Sequence, residues 1–146
     1  MKITICGSIA FFEDMLVAKK ELEALGHEVD LPPTKILNGQ GEYITVAQYY
    51  EIRKAGSLET WVWDAKKVAM LNHFNKEVWA DAILVMNMDK KGIKGYIGAN
   101  TLIEMGLALF LKKPIYLFNP LPEMDYSEEI KGMQPIVINQ DLKNIL

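Results

Sequence analysis

The chain contains one cysteine, Cys6, and two histidines among its 146 residues. A lone thiol excludes an internal disulfide and suits a reducing, cytoplasmic setting, and no Cys/His cluster has the spacing of a zinc site, so no metal is expected. Charge of one sign is also scarce. Sixteen basic residues against nineteen acidic ones give a net charge of −3, without a block that would mark a nucleic-acid footprint or a polybasic membrane patch. Neither polymeric DNA or RNA nor a membrane is an expected partner. Long hydrophobic runs are absent as well: the longest, Leu107–Leu111 with its upstream neighbours, is interrupted by Glu104 and falls far short of the ~20 residues a spanning helix needs. Only Lys2 precedes the short apolar run Ile3–Ile5, and Glu13 and Asp14 follow soon after, which is not the layout of a signal peptide. A soluble, cytoplasmic protein is expected. There is no P-loop, no dinucleotide fingerprint, no internal repeat and no low-complexity tract.

What the chain does have is apolar residues, at 50% of the total, enough for one sizeable core and a single domain over residues 1–146. Ile3–Cys6 reads as a strand ending at Gly7-Ser8. Met15, Ala18, Leu22 and Leu25 then recur at helical spacing, with Gly26 as the stop and His27–Leu31 as a second short strand. Residues 32–42, with Pro32, Pro33, Asn38, Gly39 and Gly41, read as a loop. A helix is expected over Tyr43–Ala55 and another over Leu58–Trp79, the latter burying a stripe of Leu58, Trp61, Ala65, Val68 and Leu71. Ala82–Met86, Ile115–Phe118 and Ile136–Ile138 are short apolar runs expected of strands covered on both faces. The helix Asn100–Leu111 lies between the first two. This alternation predicts an α/β, doubly wound, five-stranded parallel sheet in the order 2-1-3-4-5, with helices on both faces.

In such a sheet ligands bind beyond the carboxyl ends of the strands. Gly7-Ser8, Asn87–Asp89 and Gly95–Thr101 should converge there. Gly7 permits close backbone approach and Ser8 can hold a phosphate or sugar oxygen, although an ordinary βα turn would use the same residues. Asn87 and Asp89 are placed either to hold ribose hydroxyls or to form the turn. Lys90 and Lys91 could attract a phosphate or simply be solvated. Glu104 is the lone carboxylate of a helix that is apolar on nearly every face. Either it closes a capping box with Thr101, or its surroundings tune it for chemistry.

The segment Tyr96-Ile97-Gly98-Ala99-Asn100-Thr101-Leu102-Ile103-Glu104-Met105-Gly106-Leu107-Ala108, followed by Lys113-Pro114-Ile115, resembles the glutamate segment of the nucleoside 2-deoxyribosyltransferase superfamily. The opening Cys6-Gly7-Ser8-Ile9 is similar to the first loop of its 2′-deoxynucleoside 5′-phosphate N-hydrolase branch. The resemblance implies that Glu104 attacks the anomeric carbon of a deoxyribosyl group and releases the base, with water or a second base accepting the sugar. It implies a substrate site drawn from Gly7, Ser8, Ile9, Asn87, Asp89, Gly98 and Asn100, and no metal or organic cofactor. It also implies a homodimer or larger assembly whose sites are completed by a neighbouring subunit, for which Pro135–Asp141 is a candidate contributor.

Two positions depart from the family. Eight residues before Asp81, where the family carries an orienting aspartate, this chain has His73, which could donate a proton or merely pack beside Val62 and Ala69. The first strand has Thr4 and Ile5 where a tyrosine is usual, and Tyr96 could substitute from the loop or act only as a lid. Retention of Glu104 favours an N-glycosidic-bond enzyme. The departures favour a non-catalytic nucleotide-binding or sensing module, and a third reading is an oligomeric scaffold in which Glu104 only caps.

Overall fold

The computed structural model describes residues 1–56 and 58–146. In chain order its elements are β1 (Lys2–Cys6), α1 (Phe12–Ala24), β2 (Glu28–Asp30), β3 (Lys35–Leu37), β4 (Tyr43–Thr45), α2 (Val46–Lys54), α3 (Thr60–Trp79), β5 (Ala82–Val85), α4 (Ala99–Phe110), β6 (Ile115–Leu117), α5 (Ser127–Gly132) and β7 (Ile136–Val137), with single 3-10 turns at Ile9–Phe11 and Leu142–Asn144. These fall into two compact units, residues 1–31 with 76–146, and residues 32–75.

The first unit is a five-stranded sheet in the order β2-β1-β5-β6-β7, every neighbouring pair parallel. Ile3 pairs with Val29 on one side and Ala82 on the other, and Cys6 pairs with Val85. This is the doubly wound order expected from short crossovers, with the reversal between β1 and β5. Because side chains alternate across a strand, the apolar runs feed two cores. Ile3, Ile5, Ala82 and Leu84 pack against Met15, Ala18 and Leu22 of α1. Cys6, Ile83, Val85 and Leu117 face the other way, onto Met105 and Ala108 of α4 and Ile130 of α5. Each fully buried Ile or Leu is worth roughly 1.5–3 kcal/mol, which is why continuous apolar runs of three to five residues suffice to set central strands. Gly26, at φ +92°, stops α1 as expected, whereas Leu25 sits in the C-cap and is exposed.

The second unit differs from the loop-then-helix expected there. Residues 35–45 form an antiparallel ribbon in which Ile36 pairs with Ile44, and α2 begins only at Val46. The Asn38 carboxamide oxygen accepts from the backbone amides of Gln40 and Glu42, both at 2.9 Å, and so closes the hairpin. A capping box between Thr45 and Gln48 then starts α2. Tyr49 is buried and donates its hydroxyl to the Val62 carbonyl at 2.6 Å.

α3 also turns a different stripe inward from the one expected. Leu58 precedes the helix and is 98% exposed, and Val68 and Leu71 are half exposed. The buried residues are Val62, His73 and Glu77. Periodicity fixes which residues share a face of a helix, but packing decides which face is covered.

Candidate active site

The carboxyl end of β1 leads into a turn whose geometry only glycine fits. Gly7 has φ +153°, and a Cβ there would meet the Met15 side chain at 2.9 Å and the Met86 carbonyl at 3.1 Å. Ser8 caps the short turn Ile9–Phe11, its Oγ accepting from the Ala10 amide. The same Oγ accepts from Lys90 Nζ at 2.8 Å. Lys90 is held in reach by a tight hairpin: Lys91 and Gly92 both have positive φ, and Lys90 and Ile93 exchange backbone hydrogen bonds. The ammonium groups of Lys90 and Lys91 also lie 5.4 and 5.7 Å from the Tyr96 ring centroid. Ser8, Lys90 and Tyr96, drawn from two loops, therefore form one polar edge.

At the end of β5, Asn87 is fully buried and its side chain is spent on backbone groups. Its Nδ2 donates to the carbonyls of Asn119 at 2.9 Å and Pro120 at 3.1 Å, and its Oδ1 accepts from the Asn119 amide at 2.8 Å. Asp89 accepts from the Gly95 amide at 3.0 Å, which closes the loop before α4. Gly95 is required there, since a Cβ would lie 2.6 Å from the Pro120 carbonyl and φ is +66°. Asn119 was not singled out from the sequence. The available signal was its place directly after an apolar strand and before Pro120, the same strand-end position that Asn87 occupies.

α4 begins after Gly98, whose position as N-cap settles the alternative left open for Glu104. Thr101 and Glu104 lie within the helix, at its third and sixth residues, so they do not form a capping box. Glu104 is instead a buried carboxylate, 4% exposed, on the face of α4 that covers the sheet. Asn100 Nδ2 donates to its Oε1 at 3.2 Å. The Cys6 thiol, with Sγ within 4.8 Å of a Glu104 carboxylate oxygen, makes a side-chain hydrogen bond to it. Burial, reinforced by the charges of Glu104 and Glu77, pushes the Cys6 thiol well up, so it is a neutral donor.

Glu77, on the last turns of α3, was not anticipated. It is fully buried, and burial first, then the Glu104 charge, pushes its carboxyl up to about 8 against an opposing pull from Lys113. Its one sequence signal is weak: it lies four residues after His73 on the same helix. His73 belongs to the second unit and is buried in its own right. Thr4, where the family has tyrosine, is buried and donates its hydroxyl to the Lys76 carbonyl at 2.8 Å. Tyr96 packs over the backbone of Gly98, where a Cβ would meet the phenol ring and hydroxyl at 3.4 Å.

Two clefts flank these loops. One, of about 610 Å³, runs past Phe11, Asp14, Met88, Lys90, Asn119 and Gln140. The other, of about 690 Å³, is lined by Asp89, Lys94, Gly95, Asn119, Pro120 and Glu123 among others. Asp89 and Asn119 line both, and Glu104 lines neither.

No protein-family model matches the chain, and no curated protein matches it. Among solved structures, that of the 2-deoxyribosyltransferase from the psychrotolerant bacterium Bacillus psychrosaccharolyticus superposes with a TM-score of 0.51 at 19% identity, covering 80% of this chain and 71% of that one. The two proteins share a fold, in keeping with the resemblance carried by Tyr96–Ala108.

Proposed function

We propose that this chain cleaves or transfers at the N-glycosidic bond of a (deoxy)nucleoside or nucleoside monophosphate, with Glu104 as the nucleophile. The observation that carries the reading is the setting of Glu104: a buried carboxylate, tied to no helix cap, oriented by a neutral thiol and a carboxamide. A carboxylate held in this way keeps its lone pairs available while its position is fixed. The fold shared with a 2-deoxyribosyltransferase supports the same reading.

In this mechanism a Glu104 oxygen bonds to the anomeric carbon as the bond from that carbon to the base nitrogen breaks. The base takes the bonding electron pair and a proton, and the sugar is left as an ester on Glu104. Water, or the nitrogen of a second base, then displaces the carboxylate. Tyr96 and His73 are the groups assigned to proton transfer. Gly7, Ser8 and Ile9 hold the 5′ end of the sugar, where Lys90 on Ser8 Oγ supplies a cation for a phosphate. Asp89, Gly98 and Asn100 serve the sugar side, and Asn87 acts through the loops it locks. Neither a metal nor an organic cofactor takes part, and the active assembly is a homodimer or larger.

A second reading, a nucleotide-binding or sensing module without catalysis, is favoured by one observation: Glu104 lines neither cleft. Incubation with deoxynucleosides and their 5′-monophosphates, with and without an acceptor base, separates the two. Base release that is lost in Glu104→Gln supports the enzyme. Tight binding with no base release from any of them supports the module.

A further inference from the structure

The side of α3 that carries Trp61, Ala65 and Val68 does not enter the core, and the mechanism above uses none of it. With Asp64, Ala69 and Asn72, these residues recur at helical spacing along one side of the helix for about three turns. The β3–β4 ribbon covers that side only in part. Ribbon and helix together line a cavity of about 290 Å³, largely apolar and built wholly from the second unit.

The walls of this cavity are fixed by their neighbours. A Cβ at Gly39 would lie 2.8 Å from Trp61 Cδ1, so the tip of the hairpin rests directly on the indole ring. Trp61 Nε1 donates to Glu59, and the ring meets that of Tyr49 edge-on with 6.3 Å between centroids. Leu37 and Tyr43 pair across the ribbon, which makes their side chains neighbours on one face. Ala65 and Ala69 add only a methyl group each to the lining, which leaves the space open.

Two features mark the cavity as a ligand site rather than a packing defect. Apolar groups at its rim stay in water: Tyr43 is 71% exposed, and Leu37 and Val68 are about half exposed. Its polar groups are also unspent, since the side chains of Lys35, Asp64 and Asn72 make no hydrogen bond or ion pair among the described residues. Apolar walls with a few placed polar groups are the general make-up of small-molecule pockets. A cavity of about 150 Å³ already takes a benzene ring, so this one has room for two fused rings. Asp64 and Lys35 are the one acid and the one base of the lining, so it carries no net charge and matches a neutral ligand.

We propose that this cavity is a binding site for a flat, uncharged heteroaromatic molecule of one or two rings, which packs against Trp61 and Tyr43 and donates a ring N–H to Asp64. Asn72 and Lys35 serve acceptor atoms at the edge of the ring. The bond to Asp64 is charge-assisted and so supplies the orientation that stacking lacks. The site asks nothing of Glu104, and no step of base release rests on it.

The test titrates the full-length protein with benzimidazole at neutral pH, where this probe is uncharged, following heat by calorimetry and backbone amide shifts by NMR. Saturable binding is expected, with the shifts concentrated in residues 33–72. Methylation of the ring nitrogen, in 1-methylbenzimidazole, should weaken binding to wild type by roughly tenfold or more, and Asp64→Ala should erase that difference. Ala65→Leu fills the hollow and should abolish binding with an unchanged circular dichroism spectrum; Asp64→Ala keeps the test valid if Ala65→Leu does not fold. Adenine compared with benzimidazole shows whether a nucleobase or another azole is the better occupant, and either preference supports the site. No saturable binding of any of these rings, equal binding of the two benzimidazoles to wild type, shifts confined to the first unit, or full affinity in a folded Ala65→Leu would overturn it. An affinity that falls as protein concentration rises would also overturn it, because a second copy of the chain would then be the occupant.

Discussion

Asn87 and Asn119 exchange three hydrogen bonds across the ends of adjacent strands: Asn87 Nδ2 to the Asn119 carbonyl at 2.9 Å, the Asn119 amide to Asn87 Oδ1 at 2.8 Å, and Asn119 Nδ2 to the Asn87 carbonyl at 3.1 Å. Gln140 extends the network by donating to Asn119 Oδ1 at 2.8 Å. The loops that carry Asp89, Gly95 and Pro120 are anchored through this pair. Asn87→Leu matches the side chain in size but leaves three carbonyls, those of Gly95, Asn119 and Pro120, and the Asn119 amide without their partner, a cost of roughly 1–3 kcal/mol per stranded buried group. Urea unfolding should show a lowered midpoint, and a change under 0.5 kcal/mol would mean that the network is incidental.

Glu104→Gln preserves shape and one oxygen acceptor. Because Glu104 does not close the start of α4, stability should change little, by about 1 kcal/mol or less, while base release is abolished and ligand binding survives. Full activity in this variant would show that another carboxylate is the nucleophile.

Stability should depend on pH through Glu77. Its folded value, about 8, is raised above the ordinary 4.5, so folding takes up a proton between those limits. The sign follows directly: stability attributable to this group is fully present below pH 4.5, declines as pH rises through the window, and levels off above 8, with a slope of at most about 1.4 kcal/mol per pH unit. Denaturant midpoints measured from pH 5 to 9 should show the decline in wild type and a flatter curve in Glu77→Gln. Parallel curves would place the proton elsewhere.

Lys90 should discriminate substrates by their 5′ end. Its ammonium lies on Ser8 Oγ, so Lys90→Met should weaken monophosphates by roughly tenfold, ~1.4 kcal/mol, and leave unphosphorylated nucleosides nearly unchanged. Calorimetric titration of both classes against both proteins reads the difference. Equal losses would make Lys90 a structural clamp only.

Trp63, Val78 and Trp79 on α3 and Phe110 on α4 are exposed apolar side chains, of the kinds enriched at interfaces. Light scattering should therefore report a homodimer or larger at micromolar concentration, and Trp63→Ser should shift it toward monomer. A wild type that is monomeric throughout would remove the expectation of a site completed by a neighbour.

The parts of the fold legible in the sequence are those decided by local pattern. Ile3–Cys6, Ala82–Met86 and Ile115–Phe118 are too short and too uniformly apolar to be anything but covered strands, and the helices between them leave the 2-1-3-4-5 order as the natural result. Glu104 stood out because it is one charge in an apolar helix. The hairpin of residues 35–45 did not stand out, since Asn38 and the glycines announce a turn without saying what it joins. What Glu104 does there was also beyond local pattern. Thr101 and Glu104 have the spacing of a capping box, and only the start of α4 at Gly98 excludes one. Glu77 was the least legible of all, on a helix whose apolar stripe pointed to the opposite face. Which face of α3 is buried depends on contacts with chain segments far away in sequence, and those same contacts strip Glu77 of water. Helical and strand periods are properties of neighbouring residues, whereas desolvation and charge coupling exist only once distant segments pack.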